Sequence, residues 1–247
     1  MFKQPQNFCI RTKAYPMSEK CWSCFRPLSS CYCKYIEKIS TDVHFVFLMH
    51  PKEAYRQKTG TGRLAHLTLA DSEIIIGIDF TNNPRIKELL CSPDYFPLLL
   101  YPDKNAWTAS STDEENLSLK QKIGNRKLLV FVVDSTWFFA KKILRLSPDI
   151  YNLPKISFEG RYLSQFEFKT QPAPECVSTI ESCYYLLNEL AAAKVIEPVN
   201  TAPLMNIFKR MVTFQIESQK QREMNGEPDR YAESCRLRAK KQRHNLE

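Results

Sequence analysis

Four short apolar runs, each bounded by a polar or turn residue, limit what this chain can become. They are Val43–Met49 before His50-Pro51, Ile74–Ile78 after Glu73, Leu98–Tyr101 before Pro102, and Leu128–Val133 between Lys127 and Asp134. Runs of this length without polar alternation suit strands covered on both faces, the environment of a parallel sheet. Segments with helical spacing lie between them, around Ile86, Leu89 and Leu90 and from Trp137 to Leu146. The alternation predicts an α/β domain, a mostly parallel sheet with helices on both faces. Ligands of such sheets sit outside the carboxyl ends of the strands. His50-Pro51-Lys52-Glu53, Tyr101-Pro102-Asp103 and Asp134-Ser135-Thr136-Trp137 each follow a run and are expected to converge on one crevice.

Downstream, Ser178-Thr179-Ile180-Glu181 has the spacing of a capping box, which predicts a helix start. Tyr184, Tyr185, Leu187, Leu190 and Ala191 give that helix an apolar face. A second amphipathic helix is expected after Pro203, with Leu204, Ile207, Phe208, Met211 and Val212 at helical spacing. After Glu217 the chain turns charged and closes on Arg236, Arg238, Lys240, Lys241 and Arg243, either a mobile arm or a solvated helix. The organisation read from these shifts is a cysteine knuckle over 1–40, an α/β domain over 41–217 and a charged tail over 218–247.

Nine cysteines is an odd number, and the first residues lack the apolar core of a secretory signal. No stretch reaches the roughly 20 apolar residues that span a bilayer. A cytoplasmic protein without a membrane segment, in a reducing compartment, is expected. Cys21-x-x-Cys24 and Cys31-x-Cys33 place four thiols in a short segment with turn residues between, the donor set of a closed, structural Zn²⁺ site. Cys9, Cys91, Cys176, Cys183 and Cys235 read as small apolar residues. Lys and Arg total 35 against 27 Asp and Glu, a net charge of +8, which suits a polyanionic partner such as RNA.

Each remaining cluster has two readings. The Thr59-Gly60-Thr61-Gly62-Arg63-Leu64 loop either enters a helix or presents N–H groups to an anion; it lacks the Lys-Ser/Thr ending of a phosphate-binding P-loop. His50 alone suits a structural histidine. Asp134-Ser135-Thr136 is either a strand-to-helix cap or a carboxylate aimed at a ligand, with Trp137 stacking or simply packing. The capping box explains Ser178 and Glu181 without any function.

Taken together and in order, these motifs resemble the DTW-domain proteins, which include the tRNA-uridine aminocarboxypropyltransferases. The resemblance rests on Cys21, Cys24, Cys31 and Cys33; on His50-Pro51-x-Glu53-x-x-Arg56 with Thr61-Gly62-Arg63-Leu64; on Leu100-Tyr101-Pro102; on the D-x-T-W of Asp134, Thr136 and Trp137; and on Leu153-Pro154 and Ser178-Thr179-x-Glu181. It covers about residues 20–195. Ser135 stands where the family often has Gly, Gly60 where it often has Asn, and Lys169 where it has an arginine, which makes forked rather than one-pointed contacts.

What the resemblance implies is a SPOUT-like fold with a knotted C-terminal portion whose loops bind S-adenosylmethionine. It implies transfer of the 3-amino-3-carboxypropyl group to N3 of a tRNA uridine, with methylthioadenosine released. Asp134, Thr136 and Trp137 would be catalytic. Tyr101, Pro102, Asp134, Ser135, Leu153, Pro154, Ser178, Thr179 and Glu181 would hold the co-substrate. His50, Glu53, Arg56, Thr61, Gly62, Arg63 and Lys169 would meet the RNA. Rival readings are the same chemistry on ribosomal RNA, ordinary methyl transfer, and a zinc-containing RNA-binding protein without activity.

Overall fold

The computed structural model describes residues 20–56, 59–109, 111, 119–158, 162–166 and 176–227. Five parallel strands form one sheet in the order β2-β1-β4-β3-β5. They are β1 (Val43–Met49), β2 (Ser72–Ile76), β3 (Tyr95–Leu100), β4 (Lys127–Asp134) and β5 (Lys155–Ile156). The helices are α1 (Pro51–Arg56), α2 (Thr61–Thr68), α3 (Pro84–Cys91), α4 (Trp137–Leu146), α5 (Pro148–Tyr151), α6 (Thr179–Ala192) and α7 (Ala202–Met224).

The apolar runs are the strands, and β1 is buried along its whole length. Alternate side chains feed two separate cores. Phe45, Phe47, Leu128, Val130 and Val132 join Leu64 of α2, Leu186 and Leu190 of α6 and Phe208 of α7 in one cluster. Val46, Leu48, Leu129 and Phe131 join Ile86 of α3, Ile143 of α4 and Ile150 of α5 in the other. Period-two alternation between two apolar layers is what an unbroken apolar strand needs, because neither face then meets water.

Register aligns the carboxyl ends. Met49 pairs with Asp134 and with Ile76, and Leu100 pairs with Val132 and Ile156. After β1 the chain crosses to β2 on one side; after β4 it crosses to β5 on the other. β1 and β4 are neighbours, and α2 and α4 belong to opposite layers, so the connections diverge between these two strand ends. His50 and Asp134 meet there, the His50 N–H donating to the Asp134 carbonyl at 3.1 Å.

Several boundaries differ from expectation. β2 begins at Ser72 and ends before Gly77, since its pairing with β1 stops where β1 does. β3 starts three residues early and tolerates Pro97. β5 is only two residues long and has no apolar run to announce it. α7 runs past Glu217 to Met224, so the first part of the charged tail is helix; the cluster from Arg236 to Arg243 lies outside the described residues. No helix among the described residues is long and apolar enough to cross a membrane.

Candidate active site and metal centre

A cavity of about 440 Å³ opens where β3, β4 and β5 end. Leu100, Val132 and Val133 form its floor with Ala140 of α4. Tyr101 and Trp137 form one wall, their ring centroids 6.4 Å apart and tilted by 56°. Pro102, Ser135, Ser157 and Phe158 continue the rim, and Cys176, Val177, Thr179 and Ser182 close the far side from the start of α6. Burial, with Tyr151 nearby, pushes the Tyr101 phenol above its ordinary value, so it is a neutral donor. The volume lies in the range of about 300–1,000 Å³ typical of small-molecule sites. Aromatic walls around an apolar floor fit a flat ring, while the hydroxyls of Ser135, Ser157, Thr179 and Ser182 each donate to a protein oxygen and so face a ligand as acceptors.

Asp134, the last residue of β4, is 5% exposed and does not line the cavity. Its Oδ1 accepts the Thr179 hydroxyl at 2.6 Å, which ties β4 to the first residue of α6. The same carboxylate rests on the first turn of α2: a Cβ at Gly62 would sit 2.2 Å from Oδ2. A negative charge against the N-terminal turns of two helices is favoured by their exposed N–H groups and dipoles. Asp134 therefore does not cap α4. Thr136, the N-cap of α4, is exposed and its side chain makes no capping bond either.

Around His50 the geometry is packed. The ring is 4% exposed, stacks on Phe139 at 4.3 Å, and its Nδ1 accepts the Lys52 N–H at 3.1 Å. Burial, then the charges of Lys52 and Lys142, lower its pKa, so the ring is neutral at pH 7. Arg63 donates to the Ala54 carbonyl at 3.4 Å and lies over the Phe25 ring, 4.2 Å from its centroid.

Phe25 belongs to the knuckle. A tight turn, in which the Phe25 N–H donates to the Cys21 carbonyl and Phe25 takes φ of 58°, folds Cys21 and Cys24 toward Cys31 and Cys33. The four Sγ atoms lie within 4.8 Å of one another; Cys21 and Cys33 are 3.6 Å apart and Cys24 and Cys31 are 3.7 Å apart. Sulfurs at ~2.3 Å from a tetrahedral zinc are ~3.8 Å from each other, so the donor set fits that ion. Backbone N–H groups of Cys24 and Ser23 pull Cys21 down to about 6, while burial pushes Cys33 up. With all four positions taken by sulfur, no open position is left for a reacting group.

Comparison with known proteins decides the family. The DTW domain model matches residues 18–216. The chain belongs to the DTW-domain family. It is 27% identical over 199 residues to tRNA-uridine aminocarboxypropyltransferase 2 of Drosophila melanogaster, covering 77% of this chain and 74% of that protein. Against the Mus musculus protein of the same name it is 25% identical over 202 residues, covering 80% of this chain and 64% of the relative. Against the Macaca fascicularis protein it is 24% identical over 203 residues, again 80% and 64%. No solved structure matches.

In this DTW domain the structure brings together many of the expected residues and sets others apart. Tyr101, Pro102, Ser135, Trp137 and Thr179 line the cavity, and Asp134 stands behind Thr179. Gly62 serves Asp134 through the absence of a side chain, since a Cβ there would collide with the carboxylate. Glu181 was expected at the co-substrate but is fully buried and does not line the cavity. Its carboxylate accepts the Ser178 N–H at 2.7 Å, the Gln165 N–H at 2.7 Å and the Ser164 hydroxyl at 2.8 Å. Leu153 packs on the core, and the Pro154 carbonyl accepts the Leu99 N–H at 3.0 Å; neither reaches the cavity, nor does Ser178. Glu53 sits on α1, Arg56 ends that helix, and Lys169 lies outside the described residues. Sequence reasoning missed Ala140 and Ser182, each three residues past a predicted site residue on the same helix, a spacing that was available. Ser157, Phe158, Cys176 and Val177 carry no such signal.

Proposed function

We propose that this DTW-domain protein transfers the 3-amino-3-carboxypropyl group of S-adenosylmethionine to N3 of a uridine in tRNA, releasing methylthioadenosine, and that it does so in the cytoplasm. The observation that carries the reading is the cavity at the strand ends, walled by the family's own motif residues, in a chain whose relatives bear the name of that activity. The fit is chemical: rings for a purine, hydroxyls for ribose and amino acid, and an opening at Trp137 where a base can approach. The SPOUT-like knot implied by the resemblance belongs to this same reading.

The sulfonium donor supplies a good leaving group, so this chain's residues have to align rather than activate. N3 of the uracil gives its proton to solvent water, its electron pair forms the bond to carbon, and the carbon–sulfur bond breaks with its pair left on sulfur. Trp137 and Tyr101 hold flat rings in place. Thr179 and Ser182 present hydroxyls from one face of α6, and Ser135 adds another from the turn after β4. Asp134, buried and already bonded to Thr179, is a positioning residue: it fixes the Thr179 hydroxyl and the first turn of α2 together. Thr136, exposed beside Trp137, is available to the incoming base. Cys21, Cys24, Cys31 and Cys33 would hold a zinc ion that fixes the turn carrying Phe25 against Arg63, a structural role outside the bond exchange.

Incubation with S-adenosylmethionine and purified tRNA, followed by chromatography of the small products, tests this. Methylthioadenosine together with a tRNA uridine heavier by the aminocarboxypropyl group is expected. S-adenosylhomocysteine as the product, or ribosomal RNA as the labelled acceptor in place of tRNA, would overturn the assignment.

A further inference from the structure

Exposed rings and cations alternate along one path from the cavity mouth to the knuckle. Trp137 lines the cavity and is 39% exposed; the next residue, Phe138, is 75% exposed and leans edge-on against Phe139 at 5.4 Å. Lys52 lies over Phe139, 4.5 Å from its centroid, and Lys141 and Lys142 are exposed on the same helix as Phe138. On α1, Tyr55 is 67% exposed. Beyond it Arg63, bonded to the Ala54 carbonyl, covers Phe25, which is 44% exposed, and the knuckle then offers Trp22 at 91%. Glu53, half-buried, is the acidic residue on α1, and α4 carries none.

Rings this exposed, set among lysines and an arginine rather than in a groove, do not resemble a surface for an apolar partner. They match a strand whose own pattern is flat base and charged phosphate in turn, since stacking needs a free ring face and phosphates need nearby cations. Paired bases keep their faces inside the duplex and cannot use such a surface. We propose that this ridge is a stacking track for the unpaired nucleotides flanking the target base, with Phe138 and Tyr55 as its platforms and Lys52 and Lys142 as its phosphate contacts. The proposal rests on RNA being the substrate and names the part of the RNA that the surface recognises: single-stranded, not helical.

The test uses the full chain and two labelled probes, an oligouridylate of about eight nucleotides and an RNA duplex of the same length. Replacing both Phe138 and Tyr55 by Ala should weaken the single strand about tenfold or more and leave the duplex within about twofold. Phe138→Trp keeps a ring and should retain single-strand affinity, which separates stacking from damage to α4. With tRNA as acceptor, the double variant should raise KM and leave kcat near the wild-type value. Unchanged affinity for the single strand, as a protein-docking surface would give, or an equal loss on the duplex, overturns the proposal. Methylthioadenosine release by the wild-type chain is read separately, so a failure of the transferase reading shows there and not in these affinities.

Discussion

Gly62→Ala should destabilise this protein, against the ordinary rule. Ala is favoured over Gly by up to about 1 kcal/mol inside a helix, an upper bound for Gly62 in the first turn of α2. Here the added Cβ meets the Asp134 carboxylate, with Oδ2 at 2.2 Å, Cγ at 2.4 Å and Oδ1 at 2.9 Å. To regain contact at about 3.4 Å the carboxylate must retreat by about 1.2 Å, and it is not free to do so. It is buried at the end of a central strand and holds the Thr179 hydroxyl at 2.6 Å. Breaking a hydrogen bond to a charged group and leaving that charge poorly solvated costs about 1.5–3 kcal/mol. Set against the helix gain, a net loss of about 1–2 kcal/mol is expected, or a fall of roughly 2–8 °C in Tm. The assay is thermal and urea unfolding of the variant alone and in an Asp134→Ala background. Removing the carboxylate removes the collision, so in that background the same change should be neutral or stabilising. Equal effects of Gly62→Ala in both backgrounds would refute the reasoning.

Glu181→Gln removes the charge on which Ser164, Gln165 and Ser178 converge and turns a donor toward one of them; a loss of about 2–4 kcal/mol is expected in urea unfolding, and a change under 1 kcal/mol counts against the clamp. Cys24→Ser should abolish zinc retention measured by elemental mass spectrometry and lower Tm by roughly 5 °C or more, whereas Cys91→Ser, at an exposed site away from the cluster, should do neither. At the opposite end of the sheet, Asp71 and Glu73 both bond His44; burial raises both carboxyls, but Asp71 with Lys127 and His44, and Glu73 with Arg85 and His44, end below their ordinary values of 3.8 and 4.5. Depressed carboxyls stabilise fully above the unfolded values and lose that contribution as pH falls through the folded ones, so urea midpoints should decline below about pH 4.5. His44→Asn should flatten that decline, and an identical acid slope would show that the network contributes nothing.

Much of the fold is written locally. Val43–Met49 and Lys127–Asp134 need no partner to be recognised, because a strand covered on both faces is a near-continuous apolar run, with polar residues only toward its ends. The start of α6 is equally local, since the capping spacing is a four-residue matter. β5 escaped notice because two residues carry no period, and Pro97 within β3 argues against the strand it sits in. In the site, the turns after β1, β3 and β4 were visible as polar clusters, yet the pairing that organises them was not. Asp134 and Thr179 are 45 residues apart, and Gly62 works by leaving room. Neither fact has a signature along the chain. Glu181 is the opposite case: its spacing is legible along the chain, and its carboxylate gathers Ser164, Gln165 and Ser178 rather than lining the cavity.

Because Asp134 stands against the starts of both α2 and α6, those helix ends bring their own counter-ion with them. A phosphate, chloride or sulfate from solution finds that place already taken. On the proposed function, added salt should loosen the hold of the basic surface on an RNA backbone while leaving occupancy of the inner cavity by a cationic nucleoside nearly untouched. The two proposed grips would then be separable by ionic strength alone.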